Sequence, residues 1–243
     1  MFRKVFIAGI LLIAIGGVGA LLTGKSYFYA AEREKYTTNF ADAIIDEINV
    51  EGDLGSVTIQ RTDGDAVIVE SIGPKGESIK TEQDGHTLNI STSKQASINL
   101  GIQFNKQAID IIIHLPDKTY TRITANTEVG SIEISGIEAE IIQCESEVGE
   151  ITIKDSTAKL VLENEIGNIK VEAMTIEESI TASNEVGNIA ISVSEKPNDH
   201  YISADSELGS IRIFGKKTSS YLSGNGSIAL DLETEIGDID LTN

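Results

Sequence analysis

Residues 123–134 read ITANTEVGSIEI, and the pattern returns as IQCESEVGEITI (142–153), LVLENEIGNIKV (160–171), ITASNEVGNIAI (180–191) and ISADSELGSIRI (202–213). Each segment carries Glu, aliphatic, Gly, polar, Ile at its centre. The glycines Gly130, Gly149, Gly167, Gly187 and Gly209 are spaced by 19, 18, 20 and 22 residues. A further copy, EIGDIDL, begins at Glu235, a degenerate one, GNGSIAL, at Gly224, and an early one, DLGSVTI, at Asp53. Gly226 and Gly237 lie closer together, as expected where a stack ends.

Working outward from each glycine, the apolar residues fall into columns. Seven before it stand Ile123, Ile142, Leu160, Ile180 and Ile202; five before it Ala125, Cys144, Leu162, Ala182 and Ala204. One before it stand Val129, Val148, Ile166, Val186 and Leu208, and two and four after it Ile or Val throughout. Spacing of two puts each set on one face of a strand. These columns are expected to point inward, with Thr127, Ser146, Asn164, Asn184 and Ser206 forming a polar ladder among them. The glycine supplies the corner between two strands, because it takes φ > 0 without a steric penalty. One unit cannot bury its apolar face alone, but units stacked at about 4.8 Å bury continuous ladders of Ile and Val. A period of 18–22 residues with no helical insert predicts an all-β solenoid, a β-helix or β-roll, over the alternative of an antiparallel sandwich.

Residues 119–243 are read as the regular repeats. Residues 40–118 hold less regular strands separated by turn signals at 62–64, 73–76 and 84–85. They are read as the cap and first coils of the same domain.

Before it, Val5–Leu22 is an uncharged apolar run of eighteen residues preceded by Arg3 and Lys4. That length just spans a bilayer as a helix, and the basic flank places the N-terminus in the cytoplasm. Residues 1–24 are expected to be a single-pass membrane anchor and 25–39 a juxtamembrane tether, with the domain extracytoplasmic. A cleaved signal peptide is the alternative.

The net charge is −19. All 38 acids follow residue 31, against 16 of the 19 basic residues, so this part carries a net −22. Such a surface repels phosphate backbones and excludes nucleic acid as a partner. The inward columns fix the outward ones. Glu128, Glu147, Glu165, Glu185 and Glu207 stand two before each glycine, with Glu145, Glu163 and Asp205 four before. Stacked in register, they predict an acidic ridge for cations or a cationic partner. The alternative is a solvated face that aids solubility.

No catalytic constellation stands out. His86, His114 and His200 have no partner at ligand spacing, and Cys144, the single cysteine, falls on an inward column. No cofactor loop and no metal motif is present. The paired carboxylates recur on successive coils and lack the flanking aromatics of a sugar cleft, which argues against a carbohydrate-active enzyme.

The apolar N-terminus, the early G-S-V-x-I coil, the strand ending in Leu115-Pro116 and the repeated G-[SND]-I-x-[IV] units resemble the bacterial domain family named "putative adhesin". The chain is also similar to LiaG-like membrane proteins of Gram-positive envelope-stress operons. The resemblance covers roughly residues 40–243 and implies a membrane-anchored extracytoplasmic β-solenoid without catalytic residues. Its expected role is a scaffold or accessory in the cell envelope, with a surface adhesin or structural protein as the alternative.

Overall fold

A computed structural model describes residues 32–41, 43–92, 108–173, 175–196 and 198–243. The expected anchor lies outside the described residues, as does the tether up to residue 31. Among the described residues no helix is long and apolar enough to cross a membrane.

The described chain is all strand and turn. In chain order the strands are β1 (Arg33–Phe40), β2 (Glu47–Leu54), β3 (Val57–Thr62), β4 (Val67–Pro74), β5 (Ile79–Asp84), β6 (Thr87–Thr92), β7 (Asp110–Pro116), β8 (Thr119–Val129), β9 (Ile132–Ser135) and β10 (Glu138–Val148). There follow β11 (Ile151–Lys154), β12 (Thr157–Ile166), β13 (Ile169–Ala173), β14 (Ile180–Val186), β15 (Ile189–Val193), β16 (His200–Leu208), β17 (Ile211–Ile213), β18 (Ser220–Leu222), β19 (Ile228–Ile236) and β20 (Ile239–Thr242). They form two ten-stranded sheets. In each repeat the longer strand before the glycine joins one sheet, and the short strand after it joins the other.

The repeats stack in parallel and in register. Ile142 pairs with Ile123 on one side and Leu160 on the other, and Ile151 likewise with Ile132 and Ile169. This excludes the antiparallel sandwich. The columns seven and five before the glycine are buried, as are those two and four after it, apart from a half-buried Ile211. Each fully buried Ile or Leu contributes about 1.5–3 kcal/mol relative to exposure. Cys144 sits in this core, its thiol pushed up to about 12 by burial, so it is inert packing.

Three expectations are corrected. First, the coils do not follow one another in sequence order. The strand order β18-β16-β19-β14 places the last coil, β19–β20, between β14–β15 and β16–β17. At the other end β2–β3 lies between β8–β9 and β6–β7. The stack closes at both ends with antiparallel strands, β5 on β6 and β4 on β7 at one, β18 on β16 at the other. They cover edges that would otherwise stay open to association. Second, the weak copy at Gly224 is not a coil corner. Gly224 and Gly226 belong to a turn whose N–H groups at Asn225 and Gly226 donate to Asp199 Oδ1 at 2.6 and 2.8 Å, and Ile228 opens the long strand β19. Third, the aliphatic column one before the glycine is not core. Val129 is 37% and Leu208 58% exposed, and Val148, Ile166 and Val186 are half-buried. Val148 and Ile166 are the last residues of β10 and β12, so this column sits where the chain turns into its corner and lies on the rim.

The polar ladder is present and has a definite partner. Ser146 Oγ, Asn164 Nδ2, Asn184 Nδ2, Thr234 Oγ1 and Ser206 Oγ each donate to a corner-glycine carbonyl of the adjoining coil. Those carbonyls belong to Gly130, Gly149, Gly167, Gly187 and Gly237, at 2.8–3.3 Å. A second ladder runs one residue after the glycine. Asn168 Oδ1 accepts from the Asn188 N–H, Asn188 Oδ1 from Asp238 and Asp238 Oδ1 from Ser210, at 2.7–3.0 Å. The polar residues after Gly167, Gly187, Gly209 and Gly237 thus have a structural reason. Asn164→Leu adds apolar area yet strips the Gly149 carbonyl of its donor. We expect it to destabilise by about 1–3 kcal/mol, read as a lower denaturant midpoint with unchanged slope. A raised midpoint would show that the ladder is dispensable.

Candidate functional site

The structure brings the sequence-predicted acids to one edge of the longer-stranded sheet, with two changes of neighbour. Because β19 is intercalated, Glu235 stands between Glu185 and Glu207. In the row four before the glycine, Glu145 pairs with Glu163 and Asp205 with Glu233, while Asn126 and Ser183 interrupt the acids. Neighbouring strands lie about 4.8 Å apart, so carboxylates in one row are close but not in contact.

The consequence is visible at the centre of the row. The Glu165 carboxyl is raised above its ordinary range, first by burial and then by the charges of Glu185, Glu147 and Glu145. A carboxyl raised on folding stabilises the fold at pH below its unfolded value, and this is lost as pH rises through the folded one. At neutral pH Glu165 is therefore a net liability.

The opposite sheet is treated differently. Lys154 pairs with Glu133 at 2.8 Å and Lys170 with Glu150 at 2.9 Å. No such pair reaches Glu128, Glu145, Glu147, Glu163, Glu165, Glu185, Asp205 or Glu207 among the described residues. Nor do any three His, Cys, Asp or Glu of the described residues converge as a metal site. The edge is an extended field of charge in place of a coordination centre. Replacing Glu147, Glu165 and Glu185 together with Gln should raise the melting temperature slightly at neutral pH and low salt, because water screens most of the repulsion between these exposed carboxylates. The gain should shrink at pH 4 and in high salt. A destabilised triple variant would mean that the carboxylates hold the edge together.

The histidines lie elsewhere. His86 Nδ1 is 2.6 Å from Asp46 Oδ2, and Lys118 Nζ donates to Asp46 Oδ1 at 2.7 Å and to the Ile45 carbonyl at 2.6 Å. Hydrogen bonds from Lys118 and His86 hold the Asp46 carboxyl below its ordinary range. His114 lies 3.5 Å from Glu70, which pairs with Lys35, and His200 is buried against the Ile176 carbonyl. These join the cap to the first coils, or brace the core, and make no acid–base constellation.

One part of the edge escaped the sequence reading. Glu51 and Asp53 stand four and two before Gly55, at the positions that define the ridge, and β2 pairs directly with β8. Counting back from the DLGSVTI copy finds them. Nothing in the sequence says that the β5–β6 hairpin folds beside them.

A two-sheet solenoid of short glycine-cornered coils, closed by antiparallel caps, defines the class of protein. The chain matches the family described as Toastrack DUF4097 over residues 45–161 and again over 123–242, and it belongs to that family. A comparison with curated proteins found no match. Among solved structures, a "putative cell adhesion protein" from Clostridium sporogenes is similar at 15% identity and a TM-score of 0.54, covering 87% of this chain and 99% of that one. A "putative adhesin" from Bacteroides fragilis aligns at 15% identity and a TM-score of 0.35, covering 86% and 97%. The first of these likenesses supports the fold.

Proposed function

We propose that the chain is a non-enzymatic, membrane-tethered scaffold of the Gram-positive cell envelope, whose acidic edge engages a cationic partner outside the membrane. The observation that carries this reading is that, among the described residues, no Lys or Arg pairs with Glu128, Glu145, Glu147, Glu163, Glu165, Glu185, Asp205 or Glu207 on successive coils, whereas Glu133 and Glu150 of the other sheet are paired with Lys154 and Lys170. A surface shaped only by solubility has no reason to concentrate uncompensated charge on one edge. The apolar run Val5–Leu22 with Arg3 and Lys4 before it supports the tether and its orientation. A buried Cys144 and histidines committed to structural contacts support the absence of catalysis.

Two measurements test this. Protease added to intact protoplasts should digest residues 34–243, and their protection would overturn the topology. The full chain in detergent should retain polylysine at low salt and release it as salt rises, and the triple Gln variant should retain less. Equal retention by the variant would remove the edge from the proposal.

A further inference from the structure

Each coil is bonded to the next at its corner. The glycine N–H donates to a carbonyl one coil on, as Gly237 does to Leu208, and so does the N–H two residues later, as Ile239 does to Ser210. The glycine carbonyl accepts the ladder side chain of the next coil, as Gly237 O does from Ser206. Gly209 and Ile211 hold these positions in the coil of β16 and β17, which has no coil beyond it. Among the described residues neither N–H donates to a further strand, and Gly209 O accepts no hydrogen bond.

The cap leaves this stretch open. β18 pairs with Tyr201–Ser203 and reaches Ala204 through the Ser219 carbonyl, while Lys216 folds back onto Ile213. No described strand pairs with the outer edge between them. Solvent reaches it: Leu208 is 58% exposed, and Ser206 and Ile211 are half-buried where Ser146, Asn164, Ile151 and Ile169 are buried. At the opposite end the Gly55 corner is closed, because the Ile109 N–H donates to Leu54 O and the Ile111 N–H to Ser56 O. An open, regular edge is a template for one more strand.

The template sets what can be added. The next corner has to be glycine. At Gly130, Gly149, Gly167, Gly187, Gly209 and Gly237 a Cβ would fall 1.6–1.9 Å from the carbonyl oxygen of the adjoining corner. Three residues earlier a Ser, Thr or Asn is needed to donate to Gly209 O, as Ser206 does to Gly237 O at 2.8 Å. On the outer face Asp205 and Glu207 are exposed, and no Lys or Arg of the described residues pairs with them. In a parallel pair they face the residues four and two before the added glycine, where basic side chains complement them.

We propose that the open corner of the last coil, from Asp205 to Arg212, is completed by an extended segment of a partner protein running parallel to it. The segment carries glycine at the corner, Ser, Thr or Asn three residues before it, and Lys or Arg two and four before. It rests on the scaffold reading for the sign of the partner's charge, and on the backbone edge for everything else.

The probe is a labelled peptide of residues 183–190 carrying Ser183→Lys and Glu185→Lys, which keeps Asn184 at the ladder position and Gly187 at the corner. Its fluorescence anisotropy is followed as the full chain in detergent is added. Saturable binding at one site is expected. The same peptide with Gly187→Ala keeps its charge and should bind at least about tenfold more weakly. Asp205→Lys with Glu207→Lys in the protein should weaken the first peptide by a similar factor and favour one with Ser183→Glu and its natural Glu185. Equal binding of the Gly187→Ala peptide marks diffuse attraction to the acidic edge and overturns the proposal, as does the absence of saturable binding. A concentration-dependent dimer in sedimentation, dissociated by the peptide, would make a second copy the occupant and overturn it too. Polylysine retention without peptide binding removes the corner and leaves the acidic-edge reading standing. Peptide binding with equal polylysine retention by the triple Gln variant does the reverse.

Discussion

Gly167→Ala is expected to destabilise the protein by about 4 kcal/mol or more, enough to unfold much of it when whole domains hold roughly 5–15 kcal/mol. Two effects add at this position. Its φ of 141° lies where side-chain-bearing residues are strained, and a Cβ would fall 1.6 Å from the Gly149 carbonyl oxygen. The second effect is the larger. The clashing atom is backbone, and that backbone is held by its own clash-limited neighbour, since a Cβ on Gly149 would lie 1.8 Å from the Gly130 carbonyl oxygen. Relief requires the coils to part, which stretches the bond from the Gly149 N–H to the Ile166 carbonyl, now 2.9 Å, and pulls Gly149 O from Asn164. Gly149 separates the two causes, because its φ lies outside the strained region. Gly149→Ala should be nearly as damaging as Gly167→Ala. Gly76→Ala, with φ 85° and open space around its Cβ, should lose only about 1 kcal/mol. Denaturant midpoints of the three variants check this. A Gly149→Ala protein as stable as the parent would show that the glycines are kept for conformation and not for approach.

The glycine column also marks how far sequence reading reaches. The inward columns were legible because strands repeat every two residues and an Ile column broken by charge would not stack. The ladder at Asn164 and Asn184 was legible as a column, but its acceptor was not. The sequence permits side chain to side chain bonding as readily as bonding to Gly149 and Gly167 carbonyls, and only the close approach of the corners selects the latter. Val148 and Ile166 were misplaced for a related reason. Alternation assumes a straight strand, and these two residues end theirs at the corner. The expected ridge from Glu128 to Glu207 was legible as a row, while the insertion of Glu235 into it and the placing of the β5–β6 hairpin beside Glu51 were not. Both depend on which coil lies beside which. Every coil presents the same columns, so register cannot distinguish a neighbour in sequence from one further along. The connections decide, and here Asp199 gathering the N–H groups of Asn225 and Gly226 turns the chain so that β19 enters beside β14.

That order gives the last sixteen residues an unusual weight. In an ordinary solenoid the final repeat has one neighbour, and removing it costs one interface. Here β19 pairs with both β14 and β16, and β20 with both β15 and β17. Their inward residues Leu230, Leu232, Ile239 and Leu241 are at most 1% exposed, each worth about 2 kcal/mol in burial. A chain ending at Ser227 therefore loses two interfaces and leaves β16 and β17 with no parallel neighbour. Limited proteolysis should cut it between residues 194 and 227, where the full chain resists, and its melting temperature should fall by tens of degrees if it folds at all. A peptide of residues 228–243 added in trans should restore protection. The competing outcome is informative: Ile202, Ala204 and Ser206 carry the column identities that match Ile180, Ala182 and Asn184, so β16 is chemically able to close onto β14. The segment from Val193 to His200 now crosses the width of an extra coil, about 10 Å against about 5 Å for direct neighbours, and is long enough for either. If the truncated chain keeps residues 200–213 protected, the columns alone suffice to build the stack, and the intercalated coil is a product of the turn at Asp199 and not a requirement of the fold.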